Sequence, residues 1–210
     1  MPRLVHGLAA AAASVLLLAG CATTAPAASD QPDAPGAVPV PSDAIAAPGQ
    51  VIGQGTVLQK DGEEPQFCLG GVAESYPPQC GGPEIVGWDW DAVDGEESAS
   101  GVTWGAYALT GTWDGTVFTS ESAVMLALYD PMPVVDPLTD PANAGDTPED
   151  ELLTIQDDLT ASAPFEVLTS GAQNGYLFVT VVYDDGTIQA WVDDAYGIDK
   201  VAIRGALTDL

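Results

Sequence analysis

Apolar and polar positions divide the chain into three stretches. Residues 8–18 are an apolar run broken only by small side chains, residues 22–50 hold almost no large apolar side chain, and from residue 51 onward short β-rich runs alternate with Gly, Pro and Asp. These runs predict strands at 51–59, 67–70 and 84–90, the last bounded by Gly81-Gly82-Pro83. The sharpest signal is a hairpin. Residues 102–113 put Trp104, Ala106, Ala108 and Thr110 on one face, Asp114-Gly115 turns the chain, and residues 116–120 return. A sixth run covers 123–129. Residues 131–148 contain Pro131, Pro133, Pro137, Pro141 and Pro148 and are expected to separate two structural units.

A helix is expected next, with Thr147 as N-cap, Pro148 at the first position, and Glu149, Asp150 and Glu151 in the first turn against the positive end of the dipole. Leu152, Leu153, Gln156 and Leu159 fall at helical spacing and carry it to about residue 160. The β-branched and aromatic run at 176–183 predicts a buried strand. Asp185-Gly186 fits a hairpin turn, yet Ile188, Trp191, Val192 and Ala195 recur at helical spacing and Gly197 suits a helix C-terminus, so 187–196 is read as a helix. Residues 200–207 close as a strand.

The first 20 residues have the form of an export signal, with one basic residue, Arg3, before the apolar run. That run is too short to span a bilayer comfortably, and no later stretch approaches the roughly 20 apolar residues a membrane helix needs. It ends in Leu18-Ala19-Gly20-Cys21, which resembles the lipobox of bacterial lipoproteins, where small residues precede a cysteine that is acylated and becomes the mature N-terminus. The resemblance implies a lipid on Cys21 and a position on the extracytoplasmic face of the cell membrane. The other reading is a secretory signal cut elsewhere. Residues 21–50, with Pro26, Pro32, Pro35, Pro39, Pro41 and Pro48, then read as a disordered, semi-rigid linker that is either a generic tether or a spacer across a cell wall.

Charge narrows the functions. The 210 residues carry 31 Asp and Glu against four Lys and Arg and one His. Removing the leader removes Arg3 and His6, leaving Lys60, Lys200 and Arg204 and no histidine. A Ser-His-Asp triad, a Cys-His pair, a histidine-ligated metal and a histidine base are then excluded from the mature chain. Nucleic acid is a poor partner, because its phosphates are bound by clustered Lys and Arg. The acidity fits solubility, recruitment of a cationic protein or peptide, or adaptation to high salt.

With Cys21 lipidated, Cys68 and Cys80 are an even pair in an exported chain and predict one disulfide, worth roughly 3 kcal/mol in the chain-entropy model. The rival, a reactive thiol pair, lacks a neighbouring Lys, Arg or His to stabilise a thiolate. Around them, Ser75-Tyr76-Pro77-Pro78-Gln79-Cys80-Gly81-Gly82-Pro83, then Gly87-Trp88-Asp89-Trp90 and the Thr110-Gly111-Thr112-Trp113-Asp114-Gly115 hairpin, resemble a group of uncharacterised extracytoplasmic lipoproteins of high-GC Gram-positive bacteria. The resemblance covers residues 53–119 and, less closely, 183–201. It implies compartment and lineage and carries over no catalytic residue. The strand spacing predicts an α+β chain: a small antiparallel β-barrel-like unit of OB type at 51–130, with the 68–80 loop between its second and third strands, a Pro-rich loop at 131–147, and a smaller α-β-α-β unit at 148–210.

Three constellations carry candidate chemistry. Asp89, Asp91, Asp94, Glu96 and Glu97 make an oxygen-rich loop of the kind Ca²⁺ favours, out of EF-hand register because the third Asp falls one place late and no Glu closes the loop; a solvated loop is the other reading. Asp184-Asp185 and Asp193-Asp194 read as turn and helix-end residues. Trp88 and Trp90, two apart on an expected strand, either form a sugar-stacking platform beside Asp89 and Asp91 or seal the barrel end against the disulfide. A glycosidase would place two carboxylates about 5 Å or 6.5–9.5 Å apart. No Gly-rich phosphate loop with a following Lys is present, and Gly53-Gln54-Gly55 is a strand glycine pair. Together these predict a lipid-anchored, extracytoplasmic, non-catalytic envelope binding or interaction module without a cofactor, its partner a cationic protein or cell-wall glycan. The alternatives are a carboxylate-dependent cell-wall glycan hydrolase and a Ca²⁺-binding surface protein.

Overall fold

The computed structural model describes residues 38–41, 44–131 and 135–210, so the expected signal peptide, Cys21 and most of the linker lie outside the described residues. The fold is mixed, mostly strands with two helices. Strand β1 (Gln50–Lys60) runs antiparallel to β5 (Val102–Trp113) along its whole length, from Gln50 opposite Thr112 to Lys60 opposite Val102. On its other edge β1 pairs with β2 (Gln66–Cys68), and β2 meets β3 (Glu84–Val86) at Gln66 and Glu84. Strand β6 (Val117–Met125) lies parallel to β3 and antiparallel to β5. Pairings therefore run β1-β2-β3-β6-β5 and return to β1 as a ring. Two short strands attach to it, β4 (Glu97–Ala99) on β5 and β10 (Leu207–Asp209) on β1.

Alternation along β5 fills the ring: Tyr107, Leu109 and Trp113 point inward onto Val51, Val57, Phe67, Ile85 and Phe118, with the Phe67 and Phe118 rings 5.3 Å apart. Gly55 is a requirement of that packing, since a side-chain carbon there would collide with the Cys68 carbonyl oxygen across the β1–β2 pair. Trp104 faces the other way, into a small cluster with Leu58 and Cys68.

The second half holds α1 (Glu149–Ser162), β7 (Thr169–Gln173), β8 (Tyr176–Val181), α2 (Thr187–Tyr196) and β9 (Val201–Gly205). Its sheet runs β7-β8-β9, with β7 and β8 antiparallel and β8 parallel to β9 through the α2 crossover. Leu152, Ile155 and Leu159 of α1 and Ile188 and Val192 of α2 bury Leu177, Val179 and Val181 of β8. The opposite face is covered by the Pro-rich loop. Asp136 and Asp140 each cap a short 3₁₀ turn there, Asn174 donates to the Leu138 and Asp140 carbonyls at 2.8 Å, and the Arg204 guanidinium lies 3.7 Å over the Phe178 ring while pairing with Asp136. This loop is a lid on the second sheet as well as a connection.

Several expected boundaries move. The strand expected at 84–90 ends at Val86, because Gly87 adopts φ +81° and Asp89 caps a 3₁₀ turn at Trp90–Ala92. The run at 123–129 is not a separate strand: β6 absorbs it up to Met125, after a bulge opposite Thr110 and Gly111, and the rest is a 3₁₀ turn at Leu126–Leu128. Helix α1 begins after Pro148 with no side-chain cap from Thr147, and Ile155 takes the buried place expected of Leu153, which is 46% exposed. The α-β-α-β order becomes α-β-β-α-β, because β7 and β8 form a hairpin through Asn174 (φ +52°) and Gly175 (φ +79°). The closing strand at 200–207 is two strands, β9 in the small sheet and β10 on the ring. The end of the expected linker is folded: Ile45 packs on both cores, the Trp113 indole N–H donates to its carbonyl at 2.9 Å, and Ala47 N–H bonds the Trp113 carbonyl. Helix α2 spans the residues that its spacing predicts.

Candidate functional site

Cys68 and Cys80 form a disulfide with Cα atoms 5.8 Å apart, between β2 and β3 as expected. The loop it closes carries Tyr76, which is 73% exposed at its tip and meets Trp104 edge-on at 5.3 Å. The crosslink thus staples the loop to the outer cluster of Leu58 and Trp104.

Trp88 and Trp90 are not a platform. Because they sit on a turn rather than a strand, they do not share a strand face; both are half-buried and pack on the ring core with Val93 and Met125. Trp88 lies 5.1 Å from Trp90 and 5.0 Å from Tyr107, each pair close to edge-on. At those separations the rings fill one another's space and leave no slot for a sugar between them. Trp90 is further fixed by its N–H, which donates to Gln59 at 2.6 Å. The pair seals one end of the ring over Tyr107, away from the disulfide cluster. Inside that seal the Trp88 N–H and the Tyr107 hydroxyl have no protein partner. Burial, reinforced by the charges of Glu96 and Asp94, pushes the Tyr107 phenol above its ordinary pKa.

The acidic loop beside it does not converge. Among the described residues no group of three or more His, Cys, Asp and Glu side chains is placed to hold a metal ion. Asp89 spends one oxygen on the Asp91 amide. Asp184 and Asp185 likewise serve the start of α2, Asp184 accepting from the amides of Gly186, Ile188 and Gln189 and Asp185 from that of Thr187. Three carboxyls are held below the usual Asp range: Asp114 by the amides of Val117 and Thr116, Asp136 by the amide of Leu138 and then by Arg204, and Asp185 by Thr187. Such shifts stabilise the ionised form, the opposite of what a general acid in glycoside hydrolysis requires.

A concave feature that no sequence motif marks lies beside Trp113 and Tyr183. A cleft of about 310 Å³ opens between the two sheets. Its floor is Trp113, Phe165, Val181 and Ile188, one wall is Ala44 and Ile45, and its rim carries Thr116 and Glu166. Tyr183 lines it too and donates from its hydroxyl to Asp209, tying the segment after β8 to β10. Its residues come from six separate segments, so no local spacing announces it. The apolar Ile45, in a stretch with few large apolar side chains, is the local signal that bears on it.

Charge is the remaining surface feature. Among the described residues no charged side chain is buried, and each of the three described cations is already paired on the protein's own surface: Lys60 with Glu63, Lys200 with Glu151, Arg204 with Asp136. No family model, no curated protein and no solved structure matches the chain.

Proposed function

We propose that this chain is a lipid-anchored extracytoplasmic protein, acylated at Cys21, that acts as a non-catalytic envelope module binding a cationic partner. The observation carrying the reading is the charge distribution: every described cation is neutralised by a neighbouring carboxylate, and among the described residues no carboxylate is buried, so the surplus presents a field of one sign. Such a field speeds and selects encounters with basic proteins and is screened by salt. The lipobox-like Leu18-Ala19-Gly20-Cys21 supports the anchor, and a disulfide supports an oxidising compartment. The same proposal places the chain with the uncharacterised lipoproteins of high-GC Gram-positive bacteria that its Cys80 and Trp88 motifs resemble.

The finer fold assignment belongs here too. The pairing order β1-β2-β3-β6-β5-β1, with the β3–β6 contact parallel and the others antiparallel, supports an OB-type five-stranded unit in which the Trp88 and Trp90 turn closes one end.

The test is full-length protein produced in a bacterial host. The expected result is recovery in the membrane fraction, release on Cys21→Ser, and capture from envelope extract at low ionic strength of basic species that elute with salt. A protein that stays soluble with Cys21 intact overturns the anchor; an empty low-salt eluate overturns the cationic partner.

A further inference from the structure

We propose that the cleft between the two sheets seats one apolar side chain of a basic peptide segment, whose flanking cations pair with the carboxylates on the cleft rim. This rests on the cationic-partner reading above and adds where, and by what pattern, the partner docks.

The cleft combines an apolar floor with an acidic edge. Its floor is apolar and rigid: Trp113 and Phe165 are 5% and 6% exposed, and the Trp113 ring is pinned by its N–H bond to Ile45. Its rim is anionic. Glu166 is exposed at the edge, and Asp184 and Asp185 follow directly on Tyr183, which lines the cleft.

Size and charge then select the occupant. About 310 Å³ sits at the low end of ligand pockets, enough for one large side chain rather than an extended cofactor. A neutral apolar ligand would leave the rim charges unanswered. A second copy of this chain is disfavoured by like charge, since its Lys60, Lys200 and Arg204 are already paired. A segment with Phe or Leu beside Lys or Arg satisfies floor and rim together.

The experiment uses the whole mature chain carrying Cys21→Ser and two short synthetic oligolysines, one with a central Phe and one with a central Gly, titrated calorimetrically at low ionic strength. The Phe peptide is expected to bind roughly 10- to 100-fold more tightly, the advantage of burying one aromatic side chain, and to move the Trp113 indole N–H resonance. Thr116→Trp, which sets a ring over the opening, is expected to remove that advantage and leave the Gly peptide unchanged. Glu166→Gln is expected to weaken the Phe peptide while the protein keeps its cooperative melt, and it decides the matter if Thr116→Trp does not fold. Equal affinities with an unmoved Trp113 resonance overturn the cleft and leave the cationic-partner reading standing. Binding of neither peptide overturns both.

Discussion

Leu207→Ala tests whether the last strand joins the two halves into one folding unit. Leu207 is 1% exposed in the ring core, while its own N–H bonds the Val182 carbonyl and the preceding Ala206 N–H bonds the Val181 carbonyl at the end of β8. One residue therefore contributes its side chain to the ring core and its backbone to the segment that leaves β8. Truncating a buried Leu costs about 2–5 kcal/mol, the spread depending on how far the surroundings collapse. Here collapse is poor, because the Leu207 methyl lies against the backbone of β1 at Gly53, where an added Cβ would come within 2.6 Å of it. A paired strand cannot close that gap, so about 3–4 kcal/mol is expected, a fall in Tm of about 6–16 °C for a chain of this size. The assay is urea unfolding followed by near-ultraviolet tryptophan signals from both halves. Trp104 and Trp113 report on the ring and Trp191 on α2, and the two signals are expected to shift together in one transition. Separate transitions, with only the ring signal moved, would refute the view that β10 couples the sheets.

Three further outcomes follow from the same structure. Removing the Cys68–Cys80 bond with paired Ser substitutions is expected to cost roughly 3 kcal/mol in the urea midpoint extrapolation, with the wild type showing the same loss under reductant. The carboxyls of Asp114, Asp136 and Asp185 have folded pKa values below their unfolded ones, so their contribution is complete above about pH 4 and disappears as pH falls through the folded values; Asp185→Asn is expected to lower stability at neutral pH and to flatten the acid limb of a pH-dependent melt. Tyr196, half-buried and donating to Asp158 at 2.6 Å, has its phenol pushed up to about 12, so its contribution is intact below the unfolded value near 10 and lost as pH rises toward 12. A spectrophotometric titration is expected to show Asp158→Asn lowering that pKa without returning it to the ordinary value, because burial is the larger cause.

What could be read from the sequence was what local chemistry decides. The Asp114-Gly115 hairpin is legible because Asp114 accepts from the Thr116 and Val117 amides and Gly115 supplies φ +99°, both properties of the turn itself. Helix α2 is legible because Ile188 and Val192 share a face and Gly197 ends it. The Asn174-Gly175 turn is an equally local signal, but the flanking run at 169–173, Thr-Ser-Gly-Ala-Gln, is too polar and too small to look like a strand; the sheet forms because β8 beside it is apolar enough to bury.

The differences at the end of the expected strand 84–90 and at residue 207 have another origin. An alternating pattern assigns side chains to faces only while the backbone stays extended, and Gly87 breaks it one residue before the first indole, so a two-residue spacing that spells a platform on a strand becomes a plug on a turn. At the C-terminus, continuous strand propensity through 200–207 conceals a change of partner: Val201–Gly205 pairs with β8, Leu207–Asp209 with β1 some 150 positions earlier in sequence. The cleft exists because of that change of partner. It lies where β8 leaves the small sheet, where β5 turns into β6, and where Ile45 enters before β1, three points that only the finished ring and its last strand bring to one place. A binding surface assembled from such distant segments depends on the tie at β10, so loosening Leu207 is expected to weaken peptide binding at the cleft even though Leu207 does not line it.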